Sequence, residues 1–368
     1  MIQKLRKNKK SILRTGLILV VVLAVVVLAL VSSGFLLPSK QVQASPDPDW
    51  LTGWAERIKI TTDQTDIDVD LTDFPVLVKL TSANFDFTKA LSTGNDIRFT
   101  ASDGTTLLKY ERERHDSTNS LAEYWVKIPS VSSTVNTDFY IYYGNPDAVD
   151  GADPTAVWDA NFKGVWHKKD ITTSTIADST ANANNGTKKA VNEPIEADGK
   201  IEKAQSFDGV NDWVALPEPP AASTNINTGS VFAWIKTQNA GTSFRGIVVK
   251  QLAYGMFLQD NIFGIYDWGN TIWRSSAVNL ADNLWHFVGF TFENIDAAAP
   301  SNNAKLYLDG ELKVTVTLKL QNHNEGIVIG AGNNPGVSQF FNGLIDEVRI
   351  YNRALSAAEI SAIYNATK

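Results

Sequence analysis

One unbroken apolar run and two series of short alternating segments divide this chain. Residues 17–31 read LILVVVLAVVVLALV inside an apolar stretch from Gly16 to Leu37, long enough for a helix that spans a bilayer. From Trp50 the pattern changes to short runs rich in β-branched and aromatic residues, separated by turn signals. They are ERIKI at 56–60, FPVLVKL at 74–80, DIRFT from 96, EYWVKI at 123–128 and DFYIYYG at 138–144. Asp103-Gly104 supplies the positive φ of a tight turn, and Asn145-Pro146 stops the last run by removing a backbone donor. The stretch 145–157 is rich in Pro, Gly and Asp and poor in large apolar side chains. It reads as a linker between a first β-sandwich domain over 50–154 and a second unit over 158–368. With so few apolar groups to bridge them, the second unit is expected to fold alone.

The same alternation continues past the linker with WHFVGFTF at 285–292, KLYLDG at 305–310, GIVIG at 326–330 and LIDEVRIY at 344–351. Asp309-Gly310 predicts a hairpin turn. In the run 285–292, Val288, Phe290 and Phe292 share one face with His286, while Trp285 and Phe287 occupy the other. Both faces are apolar, so this strand is expected to be covered on both sides. Only the end of the chain is helical in pattern. Ser356 and Glu359 form a capping box, and Ile360, Ile363 and Tyr364 recur at helical spacing to dock one short helix on a sandwich. The fold class is therefore all-β: two tandem β-sandwiches with a short C-terminal helix, after an N-terminal signal or anchor helix.

Charge sharpens the picture at the start of the chain. The 368 residues carry a net charge of −7, but residues 1–44 hold seven Lys/Arg and no Asp/Glu. Removing those seven from 33 basic residues leaves 26 against 40 acidic ones, a balance of −14 for the remainder. The basic end stays in the cytoplasm, so everything after the apolar run is expected to be extracytoplasmic. Val42 and Ala44 are the small residues a signal peptidase reads, which places a cleavage point after Ala44. An uncleaved segment would instead anchor the chain in the membrane. An acidic body lacks the basic groove that a nucleic-acid partner requires. Zero cysteines excludes thiol catalysis and Cys-ligated metal.

Several motifs carry a resemblance. FDGVNDWVALP at 207–217, VFAWIKT at 231–237, LWHFVGF at 284–290, KLYLDG at 305–310 and the closing FFNGLIDEVRIYNRALSAAEISAIY at 340–364 resemble the laminin-G-like, concanavalin A-like jelly-roll family. The upstream LTDFPVLVKL, YWVKIPSV and YIYYGNPDA resemble a domain-of-unknown-function family numbered 2341, and VWDANFKGVWH at 157–167 resembles the usual junction of the two. Lys168 and Lys169 depart from that junction, where the family tends to place an apolar residue and then an acidic one. The resemblance implies two packed antiparallel sheets, a frequent calcium site, binding of glycan or a protein partner, and catalysis only in some branches.

Candidate chemistry follows from residue type. Glucanases of this fold carry acidic residues two apart on one strand, and this chain has no such run; Asp346 and Glu347 are adjacent and are expected on opposite faces. The four histidines, 115, 167, 286 and 323, show no metal-ligand spacing. No catalytic residue is therefore assigned. Sugar faces stack on rings, and Tyr254, Tyr266, Trp268 and Trp273 lie in one aromatic stretch. Trp268 and Trp273 flank Gly269-Asn270 in a predicted hairpin loop, which makes these four the candidate ligand platform. Loops at 177–187 and 207–212 have the Asp/Asn/Gly composition that calcium favours, although the same residues serve as turn caps. The resemblance implies Asp178, Asn185 and Asp346 as calcium ligands, with Asp208 in addition.

The expected function is that of an exported or membrane-anchored surface protein whose non-catalytic jelly roll binds glycan or another surface protein. A glycan-active enzyme, glycoside hydrolase or lyase, and a structural envelope subunit are the alternatives. Asn185-Gly-Thr187 and Asn365-Ala-Thr367 are glycosylation sequons of low specificity.

Overall fold

Alternation sorts the first unit's strands into two three-stranded antiparallel sheets. Glu56–Thr61, Asp138–Tyr143 and Arg98–Ala101 form one in that order, and Leu71–Thr81, Leu121–Val131 and Tyr110–Asp116 the other. Ile58, Ile60, Phe139 and Ile141 from the first meet Val76, Val78, Tyr124 and Val126 from the second in a buried core. The intervening positions Leu77 and Trp125 face away from that core. A computed structural model describes residues 50–217, 222–238, 241–296, 298–332 and 339–368. The apolar run Gly16–Leu37 and the cleavage point after Ala44 lie outside the described residues, and among those described no helix is long and apolar enough to cross a membrane.

The second unit is a sandwich of a nine-stranded and an eight-stranded sheet. Tyr254–Gln259, Ile262–Asp267 and Ile272–Asn279 end the nine-stranded sheet, and Gly229–Lys236 lies between Asn342–Tyr351 and Trp285–Phe292 in the other. Between the sheets lie Val231, Ala233, Ile235, Val288, Phe290 and Phe292, packed on Met256, Leu258, Phe263 and Ile265. Ala304–Leu308 and Glu311–Val316 are joined by Asp309 and Gly310 at φ of 51° and 80°, the positive pair that a two-residue hairpin demands. The helix Ala357–Thr367 begins on the capping box, with both reciprocal hydrogen bonds of Ser356 and Glu359 present.

Both faces of the eight-stranded sheet are apolar, as the run 285–292 predicts. Phe232, Trp234, Phe287 and Tyr307 point outward, where the terminal helix places Ile360 and Ile363, and where Leu77 and Trp125 of the first sandwich meet them in one buried cluster. Val157 and Trp158, at 0% and 2% exposure, belong to that cluster. The expectation of a linker without bridging apolar groups thus fails at its last residue, Val157: the two sandwiches share a core across the junction.

The central strand Asn342–Tyr351 carries charge into this junction. It pairs with Lys203–Asp208 along its first half and with Phe162–Trp166 along its second. Against Gly229–Lys236 the register slips between Phe232 and Trp234, and Glu347 sits at φ 49°. This β-bulge leaves Ile345 and Val348 both in the inter-sheet core, with Asp346 and Glu347 between them on the outer side. Strict alternation had put those two carboxylates on opposite faces; the extra residue overrides it. Arg349 pairs with Glu347 at 2.6 Å, both almost fully buried, with its guanidinium 4.3 Å from the Trp125 ring centroid and 5.4 Å from that of Trp158.

Two outcomes are expected from this packing. Arg349→Met leaves His167 as the one remaining cation bonded to the buried Glu347, and losing one partner of a buried pair costs about 3–5 kcal/mol. Urea unfolding of the variant should show a loss of that size, and a change near zero would mean that solvent reaches the junction. At the sheet rim, His286 donates from Nδ1 to Asp309 at 2.9 Å and lies 3.2 Å from Asp282 through Nε2. The bond to Asp309 lifts its pKa above the ordinary 6.5, against burial. Its stabilisation is therefore full below pH 6.5, the unfolded value, and fades as pH rises through the raised folded value. Melting curves of wild type and His286→Gln should differ most on the acid side and converge on the alkaline side, and the opposite order would contradict the assignment.

Candidate functional site

The aromatic stretch splits between the two faces of the nine-stranded sheet. Tyr254 shares its face with Met256 and Leu258 and lies in the inter-sheet core, where its hydroxyl donates to the Thr224 carbonyl at 2.8 Å and its ring stacks on Phe292. It is fully buried, so its place in the candidate platform is withdrawn. Alternation with Met256 and Leu258 was the signal that placed it inside. Tyr266 and Trp273, paired across neighbouring strands, point outward with Phe257 and Trp268. Trp268 is only 6% exposed, so it forms the floor of this face and not an open surface.

The half-buried rings are Tyr266, Trp273 and Phe244, the last not picked out from the sequence. Phe244 stands edge to face against Trp273 at 5.1 Å and against Tyr266 at 5.8 Å. Trp273 lies over Gly264, where any Cβ would meet the indole at 2.6 Å, so the glycine is what lets the ring lie flat. The hairpin 268–271 is rigid: Asp267 accepts from the backbone and side chain of Asn270, from Arg274 and from the Lys319 amide. A fixed aromatic surface with polar groups at its loop can stack on the apolar face of a sugar.

The residues expected to ligate calcium do not assemble. Asp178 accepts from the amides of Val165, Thr180 and Asn184 and from the Thr180 hydroxyl, all at 2.9–3.0 Å. Asn185 accepts from the Asp178 amide, and Asp208 from those of Val210 and Asn211. Asp346 accepts from the Lys200, Ile201 and Glu347 amides. Among the described residues the only gathering of three or more His, Asp or Glu side chains with ligand atoms within 4.8 Å of one another includes none of Asp178, Asp208 and Asp346. Carboxylates that accept from backbone amides in this way fit turn capping.

Instead, carboxylates converge at the domain junction. Glu111 and Glu113, on the outer face of the first sandwich, meet His167 from the end of Phe162–Trp166 and Glu347 from the bulge. His167 Nδ1 lies 2.6 Å from Glu347 and 3.4 Å from Glu113, while Nε2 lies 3.3 Å from Glu111. Burial alone would pull this imidazole down, but the three carboxylates outweigh it and hold the ring well above its usual value. Trp125 stacks on the ring and its indole N–H donates to Glu113 at 2.6 Å; Trp158 donates to Glu111 at 2.6 Å, as does Ser179. The sequence hides this group because spacing along the chain says nothing about it: His167 is 180 positions from Glu347 and 56 from Glu111.

Lys168 is 1% exposed beside this cluster. Burial pushes its amine down to about 7.

Comparison with known proteins follows the same division. Residues 208–361 match the family model of the concanavalin A-like lectin/glucanases superfamily, and residues 93–179 that of domain of unknown function 2341. The second match runs through Trp158 and His167, so it takes in the junction. No curated protein matches the chain in sequence. Similar solved structures include the binding domain of Paraclostridial Mosquitocidal Protein 1, at 16% identity and a TM-score of 0.44, covering 55% of this chain and 52% of that one. Domain 4 of AbnA, a GH43 extracellular arabinanase from Geobacillus stearothermophilus solved with arabinotriose, shows 22% identity and a TM-score of 0.41, covering 55% of this chain and 97% of that domain. A Trypanosoma rangeli sialidase shows 12% identity and a TM-score of 0.44, over 67% of this chain and 41% of that one. The chain thus spans about half the length of the first of these. Fold, motif order and family matches agree that the chain joins a segment similar to the domain-of-unknown-function family 2341 to a jelly roll similar to the concanavalin A-like lectin/glucanases superfamily.

Proposed function

We propose that this chain is a surface-exposed binding protein whose jelly roll takes glycan on the outer face of the nine-stranded sheet. The observation that carries the reading is the set of half-buried rings Phe244, Tyr266 and Trp273, fixed edge to face over a buried Trp268. Rings locked in this way present flat apolar area with little entropy left to lose, which suits a pyranose face. The match to a superfamily of lectins and glucanases supports the same class of ligand, by analogy of fold. A binding role is favoured over glycoside hydrolysis because the carboxylates that converge, Glu111, Glu113 and Glu347, are 7%, 7% and 1% exposed. The cavity beside them holds about 180 Å³, less than the ~300 Å³ at which ligand pockets begin.

Purified full-length chain applied to an immobilised glycan array should retain at least one glycan class. Trp273→Ala should weaken that binding about tenfold, the equivalent of ~1.4 kcal/mol. Val210→Ala, an exposed apolar residue of a different loop, should leave it unchanged. An array without a bound glycan, or a Trp273→Ala variant that binds like wild type, would overturn the reading.

The basic start and apolar run Gly16–Leu37 support a place outside the cytoplasmic membrane for residues 45–368. Protease added to intact cells or spheroplasts should digest that part, whereas full protection until lysis would contradict it.

A further inference from the structure

We infer that the domain junction binds one divalent transition-metal cation, zinc fitting best, through Glu113, His167 and Glu347. The ligand-capable atoms of these three side chains all lie within 4.8 Å of one another. Two carboxylates converge on a single ring nitrogen, His167 Nδ1, at 2.6 Å and 3.4 Å. One N–H serves one of them well, whereas one cation serves both. The opposite nitrogen, Nε2, faces Glu111 at 3.3 Å, and a carboxylate there keeps a proton on Nε2 when an ion displaces the one on Nδ1. Each carboxylate is also held from outside: Glu347 by Arg349, Glu113 by the Trp125 indole, Glu111 by Trp158 and Ser179. These are the supports that orient ligands around a metal.

A second observation points into the same place. Glu113 Oε1 is buried without a hydrogen-bond partner, on a side chain only 2% exposed. A buried carboxylate oxygen without a partner is costly, and a cation relieves it.

One imidazole nitrogen with carboxylate oxygens favours zinc over calcium, which takes six to eight oxygens. A tetrahedral zinc spaces its ligand atoms about 3.3 Å apart, so Glu347 has to withdraw by less than ~1 Å. The cavity of about 180 Å³ lined by Glu113, His167 and Ser179 leaves room for a water as fourth ligand. Such an ion ties Glu113 of the first sandwich to His167 and Glu347 of the second.

Chelator-stripped full-length chain in detergent, titrated with zinc chloride, should take up one ion per chain. Cobalt chloride should give the visible absorption of a tetrahedral site and quench Trp125 and Trp158, whose rings lie 5.9 Å and 5.6 Å from that of His167. Glu113→Gln should weaken zinc at least tenfold while its circular dichroism in chelator matches wild type. Glu202→Gln, in the wall of the same cavity but outside the triad, should bind zinc normally. If folded wild-type chain takes up no stoichiometric zinc and gives no cobalt spectrum, the site does not exist. Should Glu113→Gln bind as tightly as wild type, or calcium chloride bind as well as zinc, the ligand set is wrong.

Discussion

A sheet that is apolar on both faces has to be covered twice, and most of this molecule follows from that requirement. Val231, Ala233, Val288 and Phe290 on one side of the eight-stranded sheet are covered by the nine-stranded sheet. Phe232, Trp234, Phe287 and Tyr307 on the other are covered by the C-terminal helix and by the first sandwich. At ~25 cal/mol per Å² of apolar surface, leaving that second face open to water forfeits several kcal/mol. The first sandwich is therefore a layer of the same core. The terminal helix, with Tyr364 stacked on Trp234 at 5.8 Å, completes the layer.

Polar groups enter this dry layer on specific terms. Burying a charge is expensive unless it is paired, and a buried pair adds little net stability over an apolar one. What such a group does provide is register: Glu111 and Glu113 accept only partners that arrive at His167, Trp125 and Trp158 in the right positions. An apolar junction alone would tolerate sliding between the sandwiches. A bulge at Glu347 is what brings the third carboxylate to this face, and its φ of 49° shows the backbone bent to do so.

The aromatic outer face of the nine-stranded sheet lies on the opposite side of the jelly roll from the junction. One sheet thus holds the two sandwiches together, and the other carries the half-buried rings of Tyr266 and Trp273. The hairpin 268–271 belongs to that second sheet and is tied down through Asp267, away from the junction.

Local physics was legible in the residues themselves. The Asp309-Gly310 hairpin, the capping box at Ser356 and the two-faced strand Trp285–Phe292 each depend on a few neighbouring residues, and each is present as the pattern requires. Family motifs fixed the order of the two sandwiches for the same reason, since they are runs of contiguous residues. The site was less legible. Tyr254 and Tyr266 look alike in the sequence, yet strand parity sends one into the core and the other outward. Asp178 and Asp346 have the residue type of cation ligands, and what the fold adds is that both accept hydrogen bonds from nearby amides. Glu113, His167 and Glu347 carried no signal at all, because what brings them together is a bulge and the docking of two domains. Sequence by itself determined what each strand and turn would be; only the tertiary structure decided which faces met, since contact between distant residues depends on register and parity across the whole fold.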